Sequence, residues 1–148
     1  MNKIIVTLIW VVTYSVSIGQ FVNPVSWNFE LNKIDDEFIK ISCIAALDKD
    51  WVIYSSKNGE DGPIPTSIHI EKGGVAVESI IEPLPVKKEF DELFDMELLK
   101  FKTKAVFIQK IKITGEAKNV MGFIQFMTCN GERCLPPTKV PFSFALNP

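Results

Sequence analysis

The chain is poor in the residues that carry most catalytic and metal chemistry: it has one histidine, His69, and three cysteines in 148 residues. His69 has no convincing nucleophile neighbour in the sequence, which argues against hydrolysis. A structural zinc wants about four ligands, and beyond Cys129 and Cys134 only Cys43 and His69 remain. No metal and no cofactor are expected. Lys and Arg number 16 against 18 Asp and Glu, a net charge of −2 with no basic cluster. That balance argues against nucleic acid or anionic lipid as a partner. Repeats and low-complexity segments are absent. No apolar run reaches the roughly 20 residues of a membrane-spanning helix; the stretch Ile4 to Ile18 is short and interrupted by Thr7, Thr13, Ser15 and Ser17.

That stretch follows Lys3 and leads to the small residues Ser17 and Gly19, the layout of a secretory signal peptide over residues 1–19, cut after Gly19. An uncleaved anchor is the competing reading. The cut removes Lys3 and no acidic residue, so the mature domain, residues 20–148, is slightly more acidic than the whole chain. Its length suits one domain with a core that needs no disulfide. Export matters most for the cysteines, because a dithiol outside the cytosol becomes oxidised unless electrons are supplied.

Within the mature chain the apolar period is two, not 3.6. Val25, Trp27, Phe29 and Leu31 alternate with polar residues, and Ile39, Ile41, Cys43, Ala45 and Leu47 do the same. Trp51 to Tyr54, Ile68 and Ile70, Val75 and Val77, Phe107 to Ile113, Val120 to Cys129 and Val140 to Leu146 continue the pattern. Seven to nine short strands separated by turn signals predict an all-β antiparallel sandwich. Cys43 falls on an apolar face and is expected in the core; His69 points to the opposite, solvated face. Two long loops are expected, Ser55–Thr66 and Glu82–Lys100. The second holds Phe90, Leu93 and Phe94 among charges, which implies either a short helix tucked onto the sandwich or a lid.

The chemistry-bearing run is Met127-Thr128-Cys129-Asn130-Gly131-Glu132-Arg133-Cys134. Asn130-Gly131 is a hairpin-turn signal, since both residues tolerate the positive φ of tight turns. Facing strands bring Cα atoms roughly 4.5 to 5.5 Å apart, within reach of a disulfide. A structural staple is one use of such a bond, but a ring this short stabilises by only about 2 kcal/mol, against about 4.7 for a hundred-residue loop. Short bonds at a hairpin tip are open to attack and tend to be the labile ones. Arg133 favours a thiolate, and Glu132 opposes it.

Three stretches resemble a known family: Cys129-x4-Cys134-Leu135-Pro136-Pro137, Trp51-x-Ile53-Tyr54-Ser55 and Gly62-Pro63-Ile64-Pro65-Thr66. They are similar to the amino-terminal periplasmic domain of the thiol:disulfide interchange protein DsbD, over nearly all of residues 24–146. The resemblance implies an immunoglobulin-like antiparallel β-sandwich. It implies protein-disulfide reductase chemistry, in which Cys129 and Cys134 take electrons from a membrane-embedded, thioredoxin-linked donor. Oxidised periplasmic thioredoxin-like or other disulfide proteins would receive them. By the same resemblance Cys134 meets the partner and Cys129 resolves the mixed disulfide. Phe90 matches a cap phenylalanine, and Tyr54 an aromatic beside the disulfide. Lys88 stands where the family has an acidic residue, which leaves any carboxylate role to Glu89. The loop between the cysteines is one residue shorter than in the family prototype. With the chain stopping at Pro148, the DsbD-like donor would act in trans. The alternative is a non-catalytic immunoglobulin-like binding module with a structural disulfide.

Overall fold

Period-two alternation does become strands. A computed structural model describes residues 22–146, so the expected signal peptide and its cut after Gly19 lie outside the described residues. In chain order the strands are β1 (Val25–Lys33), β2 (Phe38–Leu47), β3 (Val52–Tyr54), β4 (Ser67–Lys72) and β5 (Gly74–Ile81). They continue as β6 (Lys87–Asp91), β7 (Met96–Lys102), β8 (Lys104–Ile113), β9 (Asn119–Phe126), β10 (Thr128–Cys129) and β11 (Thr138–Ala145). The sheets run β1-β2-β8-β5, β10-β3-β7-β6 and β11-β9-β4, and their pairings are antiparallel. The architecture is an immunoglobulin-like β-sandwich. No helix among the described residues is long and apolar enough to cross a membrane.

The core lies between the first sheet and the other two. Trp27 on β1 packs on Phe126 of β9 with ring centroids 5.0 Å apart, Phe29 on Phe142 of β11 at 5.5 Å, and Phe107 of β8 on Phe101 of β7 at 5.5 Å. Ile39, Ile41, Cys43 and Ala45 present the buried face of β2, as their alternation requires.

Single residues carry the chain from one sheet to another: Gly73 between β4 and β5, Thr103 between β7 and β8, Met127 between β9 and β10. Gly73 has φ +86°, and a Cβ there would lie 2.0 Å from the Asn119 carbonyl oxygen, so only glycine fits. Thr103 adopts φ +68°, an unfavourable geometry for a β-branched side chain.

Three expectations need correction. Val120–Cys129 is not one strand but two in different sheets, broken at Met127. Consequently Val120, Gly122, Ile124 and Phe126 face inward while Met121 and Phe123 face out, and Cys129 is buried only after the break. Glu82–Lys100 is neither a loop nor a helix; it contains the β6–β7 hairpin. Its pairing is reinforced by charge, with Lys88 Nζ 2.8 Å from the Glu97 carboxylate, and Asp95 takes the positive φ that closes the turn. Thirdly, Gly131 has positive φ but Asn130 does not.

Gly73→Ala is expected to destabilise the protein by at least about 2 kcal/mol through φ strain and the clash with Asn119. Chemical denaturation of both proteins measures it; a midpoint shift corresponding to under half that value would refute the close approach.

Candidate functional site

The cysteine hairpin is built by a side chain that imitates backbone. Asn130 Oδ1 accepts the backbone N–H groups of Glu132 and Arg133 at 3.1 and 3.0 Å, and the Asn130 N–H donates to the Arg133 carbonyl at 3.1 Å. Asn130 therefore works as an Asx turn, and Gly131 alone supplies the left-handed residue, with φ +85°. Leu135 N–H closes the hairpin on the Thr128 carbonyl at 2.9 Å. Cys129 and Cys134 end with Cα atoms 4.1 Å apart and are joined by a disulfide. Their exposures differ. Cys129 is 1% exposed and Cys134 half-buried, while Gly131, Glu132 and Arg133 stand in solvent.

Register decides what surrounds the bond. Cys129 pairs with Val52, Val52 with Lys102, Tyr54 with Lys100, Glu89 with Leu98 and Asp91 with Met96. Directly opposed residues share a sheet face, so these side chains all lie on the face turned away from Ile53 and Phe101, which fill the main core. On this outer face a second apolar cluster forms from Tyr54, Leu98 and Cys129, joined by Val52, Phe94, Met96, Met127 and Cys134.

A buried charge lies beside that cluster. Asp91 Oδ2 accepts the Tyr54 hydroxyl at 2.8 Å and Lys100 Nζ at 2.9 Å; the Asp91 and Lys100 side chains are only 6% and 10% exposed. Asp91 Oδ1 accepts the backbone N–H groups of Leu93 and Phe94 at 3.0 and 3.4 Å. Burial alone would raise the Asp91 pKa, but the hydrogen bonds from Lys100 and Tyr54 outweigh it and hold the carboxyl below 3.8. Burial, then the Asp91 hydrogen bond, pushes the Tyr54 phenol above its ordinary 10. Glu89, bonded to Lys102 Nζ at 2.6 Å, is also held below the usual carboxylate range, first by that bond.

Of the residues expected at the site, Cys129, Tyr54, Glu89 and Phe90 line one groove of about 260 Å³, together with Asp91 and Lys100. Cys134 joins the apolar cluster instead. Phe90 is 57% exposed at the groove. The aromatic packed within the cysteine cluster is Phe94, edge-on to Tyr54 at 5.8 Å. Sequence reasoning missed Asp91, Lys100 and the placement of Phe94. The Asp91-Glu92-Leu93-Phe94 order, an aspartate two and three residues ahead of the amides it caps, was the available signal.

The loop from Ser55 to Thr66 holds Tyr54 in place. Thr66 Oγ1 donates to the Tyr54 carbonyl at 2.6 Å, and Asn58 imitates a strand by pairing with both the N–H and the carbonyl of Leu99 at 2.9 Å. The Glu82 carboxylate, wholly buried, accepts Ser55 Oγ, Ser56 N–H and Ser56 Oγ at 2.8 Å. Cys43 is remote from this site on β2. Burial pushes its thiol up to about 12, which makes it an inert apolar residue. His69 lies exposed on β4, stacked on Phe123 at 4.7 Å. No group of three or more potential ligands suited to a metal occurs among the described residues.

Fold and site together define an immunoglobulin-like sandwich with a disulfide in its last hairpin. That fold is similar to the N-terminal periplasmic domain of ScsB from Proteus mirabilis, with a TM-score of 0.66 and 18% identity over 84% of this chain. The chain spans 47% of that protein's length. The N-terminal domain of DsbD from Neisseria meningitidis, in the reduced form, aligns at a TM-score of 0.45 and 13% identity, over 82% of this chain and 86% of that one. No family model and no curated protein matches the sequence.

Because the folded Asp91 pKa is depressed, its contribution to stability is complete above the unfolded value of about 3.9. It is lost as pH falls through the folded value, which lies below 3.8. Denaturation of wild type and Asp91→Asn should therefore give a stability gap that is constant from pH 5 to 7 and narrows in acid. A gap that widens in acid would contradict the ion pair.

Proposed function

We propose that the chain is a thiol–disulfide exchange protein of the cell envelope, shuttling two electrons through Cys129 and Cys134. The observation that carries the proposal is the unequal burial of the two sulfurs within one short ring: Cys134 is half open, and Cys129 is covered. An incoming thiolate attacks Cys134 Sγ, the Cys129–Cys134 bond breaks, and Cys129 Sγ leaves with the electron pair and takes up a proton. The donor's second thiolate then attacks its own sulfur in the mixed disulfide and releases Cys134. The donor ends oxidised and the pair ends as a dithiol. The same steps in reverse reduce a client. Cys134 is the contact sulfur and Cys129 the resolving one, and two sulfurs suffice without a bound cofactor. The reductase is proposed to draw on a membrane-embedded, DsbD-like donor and to serve oxidised thioredoxin-like or other disulfide proteins. A periplasmic location is supported by the signal-like segment over residues 1–19 and by the periplasmic origin of the ScsB domain with the same fold. On this reading Tyr54, Glu89 and Phe90 line the approach to the pair.

Near-complete burial of Cys129 also favours a second reading, a non-catalytic binding module with the disulfide as a clip. Reduction potential separates the two. Exchange predicts a value above about −300 mV and equilibration with reduced thioredoxin; a lower value marks an inert bond. In cells, Cys129→Ala should accumulate mixed disulfides through Cys134, with far fewer in Cys134→Ala. The opposite ratio would reverse the assigned roles, and none in either variant would favour the clip.

A further inference from the structure

The groove beside Cys129 is lined by four carboxylates, Asp50, Glu89, Asp91 and Glu92, and by two cations, Lys100 and Lys102. That excess of acid works against exchange, because it repels a thiolate formed there. Lys100 does not offset it: its ammonium is buried against Asp91 at 2.9 Å and donates to the Phe90 carbonyl as well. Arg133 and Glu132 stand side by side in solvent and do not line the groove. Lys102 is held differently. It pairs with Glu89 at 2.6 Å, and the two side chains are 60% and 32% exposed, so water competes for the pair and it exchanges easily. Register also places Lys102 near the sulfur. Cys129 pairs with Val52 and Val52 with Lys102, so the three form one row across β10, β3 and β7 and point to the same face. Two strand spacings put the Lys102 and Cys129 backbones roughly 10 Å apart, a gap that the cysteine side chain and the flexible four-carbon stem of the lysine together bridge. Resting on the exchange function proposed above, we propose that Lys102 is the counter-charge of the Cys129 thiolate, swinging from Glu89 on the β6 side to Cys129 Sγ when the disulfide opens and returning when it re-forms.

The movement of charge in the reaction gives Lys102 its role. An incoming thiolate attacks Cys134 Sγ, the S–S bond breaks, and the electron pair stays on Cys129 Sγ. Negative charge thus passes from the attacking sulfur to Cys129, and the ammonium follows it. Lys102 keeps its proton throughout; the thiolate later takes a proton from water. Unpaired, that sulfur is released beside Tyr54, Leu98 and Met127, where desolvation and the neighbouring carboxylates both raise its pKa. A leaving thiol of lower pKa departs faster, so the swing speeds the step that opens the ring. Glu89 is the competitor: it keeps the ammonium at the rim of the groove while the sulfur is neutral.

The test is the ultraviolet titration of the Cys129 thiolate in a Cys134→Ser background, where Cys43 stays silent because burial pushes its thiol up to about 12. Lys102→Met should raise the Cys129 pKa by about one unit, and Lys102→Arg, which keeps the charge, should restore it. Glu89→Gln should lower that pKa by releasing the ammonium, but only with Lys102 present; added to Lys102→Met it should do little. In the protein with both cysteines, dithiothreitol should reduce the Lys102→Met disulfide several-fold more slowly than that of wild type. An unchanged Cys129 pKa in Lys102→Met would overturn the proposal. So would an equal lowering by Glu89→Gln with and without Lys102, since that reduces the effect to the loss of one negative charge. Failure of wild type to exchange with thioredoxin would instead count against the redox function, and the titration would still decide the role of Lys102.

Discussion

The sheet β10-β3-β7-β6 has two apolar faces, and the sandwich covers one of them. Ile53 and Phe101 face the main core; Tyr54, Leu98 and Cys129 face the other way. An outer face of that size left bare would be costly, so the hairpin turn and the cysteine ring fold over it. The disulfide is therefore part of an apolar cover, with one sulfur beneath it and one at its margin. The sheet switches at Met127 and Thr103 bound this arrangement: Met127 hands the chain into the β10-β3-β7-β6 sheet, and Thr103 hands it out to β8 of the first sheet.

The disulfide belongs to the outer cluster and not to the main core. The ring adds only about 2 kcal/mol, and the main core, with its interlocked aromatic pairs, makes no use of it. Cys43 lies in that core, on a strand that does not adjoin β10, and is no partner for disulfide reshuffling.

How much of this was legible follows from what each element uses for its stability. Strands that bury one face show it as alternation, which is why β1, β2, β8 and β11 could be read from Trp27, Ile41, Phe107 and Phe142. The turn of the cysteine hairpin was legible from Asn130-Gly131, although Asn130 contributes a hydrogen-bond acceptor rather than a positive φ. Strand β6 was not legible. It is an edge strand, its residues are mostly charged, and its pairing rests on ion pairs such as Lys88 with Glu97, which leave no hydrophobic period. Pro83 and Pro85 just before it suggested a loop. The break at Met127 was hidden for the opposite reason: apolar residues run through it without a gap, and only the change of sheet shows that the chain has turned. Asp91 was invisible because its partners, Tyr54 and Lys100, come from strands 37 and 9 residues away in sequence.

Buried charge at this site is held by what surrounds it. Asp91 has two strong donors on one oxygen and two backbone donors on the other, so its desolvation is fully compensated and the ion stays an ion. Cys129 lacks such compensation within its apolar cluster: as a disulfide sulfur it is neutral, but as a leaving thiolate it would carry a charge, and the groove it lines holds Lys102 and Asn130 beside the Asp91 network. Since the Tyr54 hydroxyl already donates to Asp91 and Lys100 is paired there, neither is free to receive the new charge. A thiolate on Cys129 would therefore draw on Lys102, Asn130 or water in that groove, or on a rearrangement of the Asp91 network.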